Sequence, residues 1–108
     1  MRAIEDPALV DELEARAIVL ECCPTSNVVL GVYPSYEDHP LRALRDAGVK
    51  VTLGSDDPPY FGASIEGEYE VAEARMGFTD DDLREITRTA LHAAFCDDDL
   101  RDSLLARV

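Results

Sequence analysis

Two short apolar segments constrain this chain more than any other feature: Ala17-Ile18-Val19-Leu20-Glu21-Cys22-Cys23 and Val49-Lys50-Val51-Thr52-Leu53. Both are too short for an amphipathic helix. Their apolar residues run on continuously instead of alternating, the pattern of a strand buried on both faces in a parallel sheet. The second is rich in β-branched residues, which favour strands. Between them His39-Pro40 opens a helix bearing Leu41 and Leu44, and Gly48 closes it in the position after the cap. Two buried strands joined through a crossover helix make one right-handed parallel unit. Two strands cannot cover both of their own faces, so the pattern asks for more sheet than it contains.

The flanking segments read as helices. Asp6 before Pro7 places a good cap ahead of a proline at the first helical position, where its missing N–H costs nothing. Leu9, Val10 and Leu13 then recur at helical spacing and predict a helix over about residues 7–16. Residues 24–38, with Pro24, Ser26, Asn27, Gly31, Pro34 and Ser35, read as a long connection, and such connections are more often functional than idle. Ser64 caps a helix whose apolar face is Ile65, Tyr69, Ala72 and Met76, ended by Gly77. Thr79 with Asp82 forms a capping-box pattern, and Phe78 is placed to staple onto Leu83. That helix carries Leu83, Ile86, Ala90 and Ala94, and a last short one spans about residues 98–107. No internal repeat or linker divides the chain, so residues 1–108 read as one domain.

Composition narrows the function classes. Ten basic against 23 acidic side chains leave a net charge of −13. Nucleic-acid binding needs clustered Lys and Arg, and anionic lipid needs a polybasic segment, so neither is expected as a partner. No apolar run approaches the ~20 residues that span a bilayer. The start, Met1-Arg2-Ala3-Ile4-Glu5-Asp6-Pro7, lacks the layout of a signal peptide. Three cysteines, Cys22, Cys23 and Cys96, fit no disulfide framework. They read as reduced thiols of a cytoplasmic protein.

The densest chemistry is Ser55-Asp56-Asp57-Pro58, directly after the second strand. Ligands of parallel α/β folds gather at the carboxyl ends of strands. Adjacent carboxylates leave a strand end in different directions, so one can hold a cation while the other faces a substrate. Spacing alone leaves open a plain turn with two solvated aspartates. Cys22 and Cys23 lack zinc-site spacing and read as buried, inert thiols. Cysteine–histidine catalysis with His39 or His92 has no local support. His39 reads as a cap or surface residue, His92 as a packed one, and Arg42 and Arg45 as the solvated side of their helix. Asp80-Asp81-Asp82 and Asp97-Asp98-Asp99 suit helix N-termini and lack the spaced ligands of a calcium loop.

Taken in order, Glu21-Cys22-Cys23-Pro24-Thr25-Ser26-Asn27, His39-Pro40-Leu41 and Gly48-Val49-Lys50-Val51-Thr52-Leu53-Gly54-Ser55-Asp56-Asp57-Pro58 resemble the adenosine/adenine deaminase family. Glu68-Tyr69 and Met76-Gly77-Phe78-Thr79 continue the likeness, which covers nearly the whole chain. The resemblance implies an α/β fold, a (β/α)8 barrel of which this chain looks like the carboxyl-terminal third with the last two strands. It implies a catalytic zinc, with Asp56 as a metal ligand and Asp57 as the residue that contacts a purine ring nitrogen.

The implied reaction is hydrolytic loss of the purine 6-amino group, adenosine to inosine being the leading form. Adenine or an aminodeoxyfutalosine-like nucleoside is the alternative. The family's His-x-His pair, later histidine ligand, His-Ala-Gly-Glu proton shuttle and Gly-His-Gly segment do not occur in these residues. No catalytic residue is therefore assigned among them, and the chain alone is expected to be inactive. A rival reading is a non-catalytic half-barrel that pairs with a partner or with itself through its uncovered strands. Another is an unrelated small α/β protein with a structural Asp-Asp-Pro loop.

Overall fold

A computed structural model describes all residues 1–108. After a 3-10 turn at Arg2–Glu5 come α1 (Pro7–Ala15), β1 (Val19–Cys22), α2 (Pro24–Val29), α3 (Leu41–Asp46) and β2 (Lys50–Leu53). Then follow α4 (Pro58–Phe61), α5 (Ile65–Met76), α6 (Asp80–Ala93) and α7 (Asp98–Leu105). The caps behave as the side chains dictate. Asp6 Oδ1 accepts from the Leu9 amide at 3.2 Å and Ser64 Oγ from the Gly67 amide at 3.0 Å. Thr79 and Asp82 close a reciprocal capping box on α6. Gly48 sits at φ +88°, and a β-carbon there would lie 2.9 Å from Glu14 Cγ. The turn between α3 and β2 therefore favours glycine for its backbone, while the exposed Glu14 side chain could yield to a β-carbon.

β1 and β2 are adjacent and parallel, in the register Val19 to Lys50, Leu20 to Val51, Glu21 to Thr52 and Cys22 to Leu53. Partners in register share a face. Cys22, Val51 and Leu53 are buried on one face and join Leu13, Leu41, Leu44, Ala72, Met76, Phe78 and Ile86 in a single core. The other face departs from expectation: Glu21 and Lys50 are exposed and only Thr52 is buried. The second face therefore carries two exposed charged side chains and opens onto cavities that the carboxyl-terminal half of α6 also lines.

Three further readings are corrected. The connection 24–38 contains a helix, α2, because Pro24 occupies its first position and a distant acceptor, Glu68, takes the Thr25 amide. Arg42 and Arg45 are clamps between elements, not merely solvated. Arg42 donates to the Gly77 carbonyl at 2.6 Å and lies over the Phe78 ring, and Arg45 pairs with Asp82 at 2.7 Å. His92 is exposed, because the end of α6 reaches past the core into solvent. It lines a small cavity with Ala17, Val19, Lys50 and Thr89. α4 adds one turn to the expected helices; Pro58 after Asp57 starts it and Gly62 at φ +64° ends it.

Leu44 is fully buried between α3 and the sheet. Leu44→Ala is expected to lower unfolding free energy by about 2–5 kcal/mol, measured by urea denaturation. A loss below that of an exposed-site control would remove it from the core.

Candidate active site

The parallel register sets the ends of both strands side by side. β1 runs out into Cys23 and α2, β2 into Gly54-Ser55-Asp56, and the Gly54 amide still donates to the Cys22 carbonyl at 2.9 Å. At that edge Asp56 takes φ +58°, a left-handed conformation that aspartate tolerates better than most residues. Ser26, nearly fully buried in α2, donates its hydroxyl to Asp56 Oδ2 at 2.8 Å. The carboxylate is otherwise exposed and lines a cavity of about 620 Å³ with Glu21, Cys23, Thr52, Ser55 and Phe95. That volume lies within the range of small-molecule sites.

Asp57, its neighbour, is exposed and stands at the N-cap of α4 without bonding it. It does not line the cavity, so the two aspartates part at the strand end, one engaged and inward, the other unengaged.

Each residue of Pro24-Thr25-Ser26-Asn27 has a separate task. Pro24 starts α2. The Thr25 amide donates to Glu68 Oε2 at 3.1 Å, and its hydroxyl meets Tyr36 Oη at 3.2 Å. Ser26 holds Asp56, and Asn27 Oδ1 lies 2.9 Å from His39 Nε2. His39 Nδ1 accepts from the Leu41 amide at 3.2 Å. Since Nδ1 accepts, the proton sits on Nε2 and is donated to Asn27. His39 thus caps α3, as its place before Pro40 suggests, but it is buried, not at the surface. Burial lowers its pKa to about 4.

Neither thiol is activated. Cys22 is fully buried, which pushes it up to about 12. Cys23 is raised by burial and then by the Asp56 carboxylate. Thiols in that condition stay protonated at neutral pH and are poor nucleophiles.

Residue-type reasoning missed the buried Glu68. The signal was present: Glu68, Ala72 and Met76 recur every fourth residue and are the buried face of α5, whereas Ile65 is exposed. A carboxylate within an apolar stripe is what the spacing shows.

No three histidine, cysteine, aspartate or glutamate side chains converge on a point that could hold a metal ion. Zinc takes three or four protein ligands. These residues therefore fit one corner of such a site, through Asp56, and not a whole one.

Residues 1–108 match the model of the adenosine deaminase family. Over all 108 residues the chain is 54% identical to adenine deaminase of Rhizobium rhizogenes and spans 34% of that protein. It thus spans about a third of the length of the curated relatives it matches. Among solved structures, adenine deaminase from Arthrobacter aurescens superposes with a TM-score of 0.93 at 30% identity, over 97% of this chain and 32% of that one. An amidohydrolase from Burkholderia ambifaria, solved with bound zinc, superposes with a TM-score of 0.82 at 27% identity, over 95% and 29% of the two chains. The fold is accordingly part of a (β/α)8 barrel, to which this chain supplies two adjacent strands.

The His39 bracket should be sensitive to acid. Its folded pKa of about 4 lies below the ordinary 6.5, so the unfolded chain binds the proton first. The neutral ring's contribution is complete above pH 6.5 and is lost as pH falls toward 4. The loss is at most about 3 kcal/mol. Urea midpoints measured from pH 7 to pH 5 should fall, and His39→Gln should flatten that decline. An unchanged slope in the variant would assign the effect elsewhere.

Proposed function

Because the chain belongs to the adenosine deaminase family, we propose that it is part of a hydrolase that releases the 6-amino group of a purine as ammonia, with adenine as the substrate. One observation carries the reading: the Asp56 carboxylate is held by a buried hydroxyl at a strand end and faces a cavity of about 620 Å³. Enzymes on parallel barrels work at that end of their strands. The relatives' names support adenine over adenosine.

The reaction adds water at C6. A proton passes to the amino nitrogen, the C–N bond breaks, and the 6-oxo purine and ammonia result. Asp56 offers one free oxygen toward the cavity, because Ser26 occupies the other. We assign that oxygen to zinc, as one ligand among several that lie outside these residues. To Asp57, exposed and without a cap bond, we assign the bond to a ring nitrogen of the purine; since it does not line the cavity of these residues, that edge of the ring would lie outside it. The free thiols suit a reducing compartment, the cytoplasm, and no helix is long and apolar enough to cross a membrane.

A second reading, a half-barrel that pairs with itself, draws on Phe95, fully exposed beside Val19 and Leu20. Light scattering on the 108-residue polypeptide should then give a dimer, and a stable monomer overturns that reading.

In the full-length protein Asp56→Asn keeps an acceptor for Ser26 and a residue suited to positive φ, yet removes the charge. Ammonia release should fall by more than the ~10–100-fold typical of outer-shell partners, with the unfolding midpoint unchanged. Activity retained within tenfold would overturn the role of Asp56. A higher kcat/KM for adenosine than for adenine would overturn the substrate but leave the reaction. The 108-residue polypeptide alone should release no ammonia from either.

A further inference from the structure

We propose that Glu68 is a positioning residue for Asp56, acting through α2 and Ser26. This rests on the reading of Asp56 as the working carboxylate. Glu68 is 1% exposed and belongs to no ion pair in the structure, where nine other pairs form. A buried carboxylate without a cationic partner is costly to keep in a fold. Its one hydrogen bond reaches 43 residues along the chain, to the Thr25 amide at 3.1 Å.

That amide is at the second position of α2, among the donors that a helix leaves unpaired at its start. The residue before the helix supplies no side-chain cap: Cys23 makes no such bond. Glu68 therefore does for α2, from another element, what an aspartate or serine cap does locally. The very next residue is Ser26, whose hydroxyl grips Asp56 Oδ2 at 2.8 Å. An anchored Thr25 backbone fixes the Ser26 rotamer's origin, and Ser26 in turn decides which Asp56 oxygen remains free. α5 thereby reaches the strand-end carboxylate in two hydrogen bonds, Glu68 to Thr25 and Ser26 to Asp56.

Two near-isosteric variants separate this from space filling. Glu68→Gln keeps an acceptor oxygen, whereas Glu68→Met keeps volume and burial without one. The first readout is the Asp56 side-chain carboxyl carbon resonance at fixed neutral pH in the full-length protein. It should stay at the wild-type position in Glu68→Gln and move in Glu68→Met, in the direction that Ser26→Ala moves it. The double variant Glu68→Met with Ser26→Ala should move it no further than Ser26→Ala. The second readout is steady-state deamination, where Glu68→Met should lower kcat about tenfold, the scale of an outer-shell loss. KM should stay within about twofold of wild type, and Glu68→Gln should largely restore kcat.

An unmoved resonance in Glu68→Met, additive shifts in the double variant, or a glutamine variant as perturbed as the methionine one would each overturn the proposal. The resonance is read whether or not the wild type releases ammonia. A wild type without deaminase activity therefore overturns the proposed function, while the coupling of Glu68 to Asp56 stands or falls on the shifts.

Discussion

The register of β1 against β2 is what the rest of this structure depends on. A parallel pair places both carboxyl ends at one edge of the sheet, and pairing Cys22 with Leu53 makes those ends level. Only then can Ser26, four residues beyond the end of β1, meet Asp56, three residues beyond the end of β2. A slip of β1 by one residue against β2 would turn Cys22 out of the core and swing Glu21 into it. The apolar face thus enforces the alignment, and the polar edge inherits it. Core packing and site geometry are consequences of one choice of pairing.

Around that edge the segment Cys23–Asn27 works as a bracket, with successive residues tied to different elements. Thr25 reaches α5, Ser26 reaches the loop after β2, and Asn27 reaches His39 ahead of α3. A helix of six residues is marginal on its own. These cross-links replace the stability that its length cannot supply. They also keep it from sliding relative to the carboxylate it serves.

Much of this was legible in the residues, and what was not has a common cause. Local signals survived intact: Asp6, Ser64 and the Thr79–Asp82 pair cap the helices they precede, and Gly48 and Gly77 end theirs. The strand pair, its direction and the family likeness followed from pattern and order. α2 did not, because its unpaired amide is satisfied from 43 residues away. In the sequence Arg42 and Arg45 look solvated because their partners, Gly77 and Asp82, lie across a turn that only the folded chain closes. The strands looked buried on both faces, yet Glu21 and Lys50 show that one face is polar within these residues. At the site, Asp56 stands where the motif placed it, whereas Glu68 lay hidden in a stripe judged by its apolar members.

The backbone at Asp56 also narrows the amino-acid alphabet there. With φ at +58°, β-branched and bulky residues are penalised by contact between their side chain and the neighbouring carbonyl. Glycine, asparagine and aspartate are the economical occupants. Of those three, glycine offers nothing for a serine hydroxyl to hold, and asparagine carries no charge. The tight bend after the strand and the anionic role proposed for this position thus converge on one monomer out of twenty, so the steric requirement and the proposed ionic one reinforce each other instead of competing.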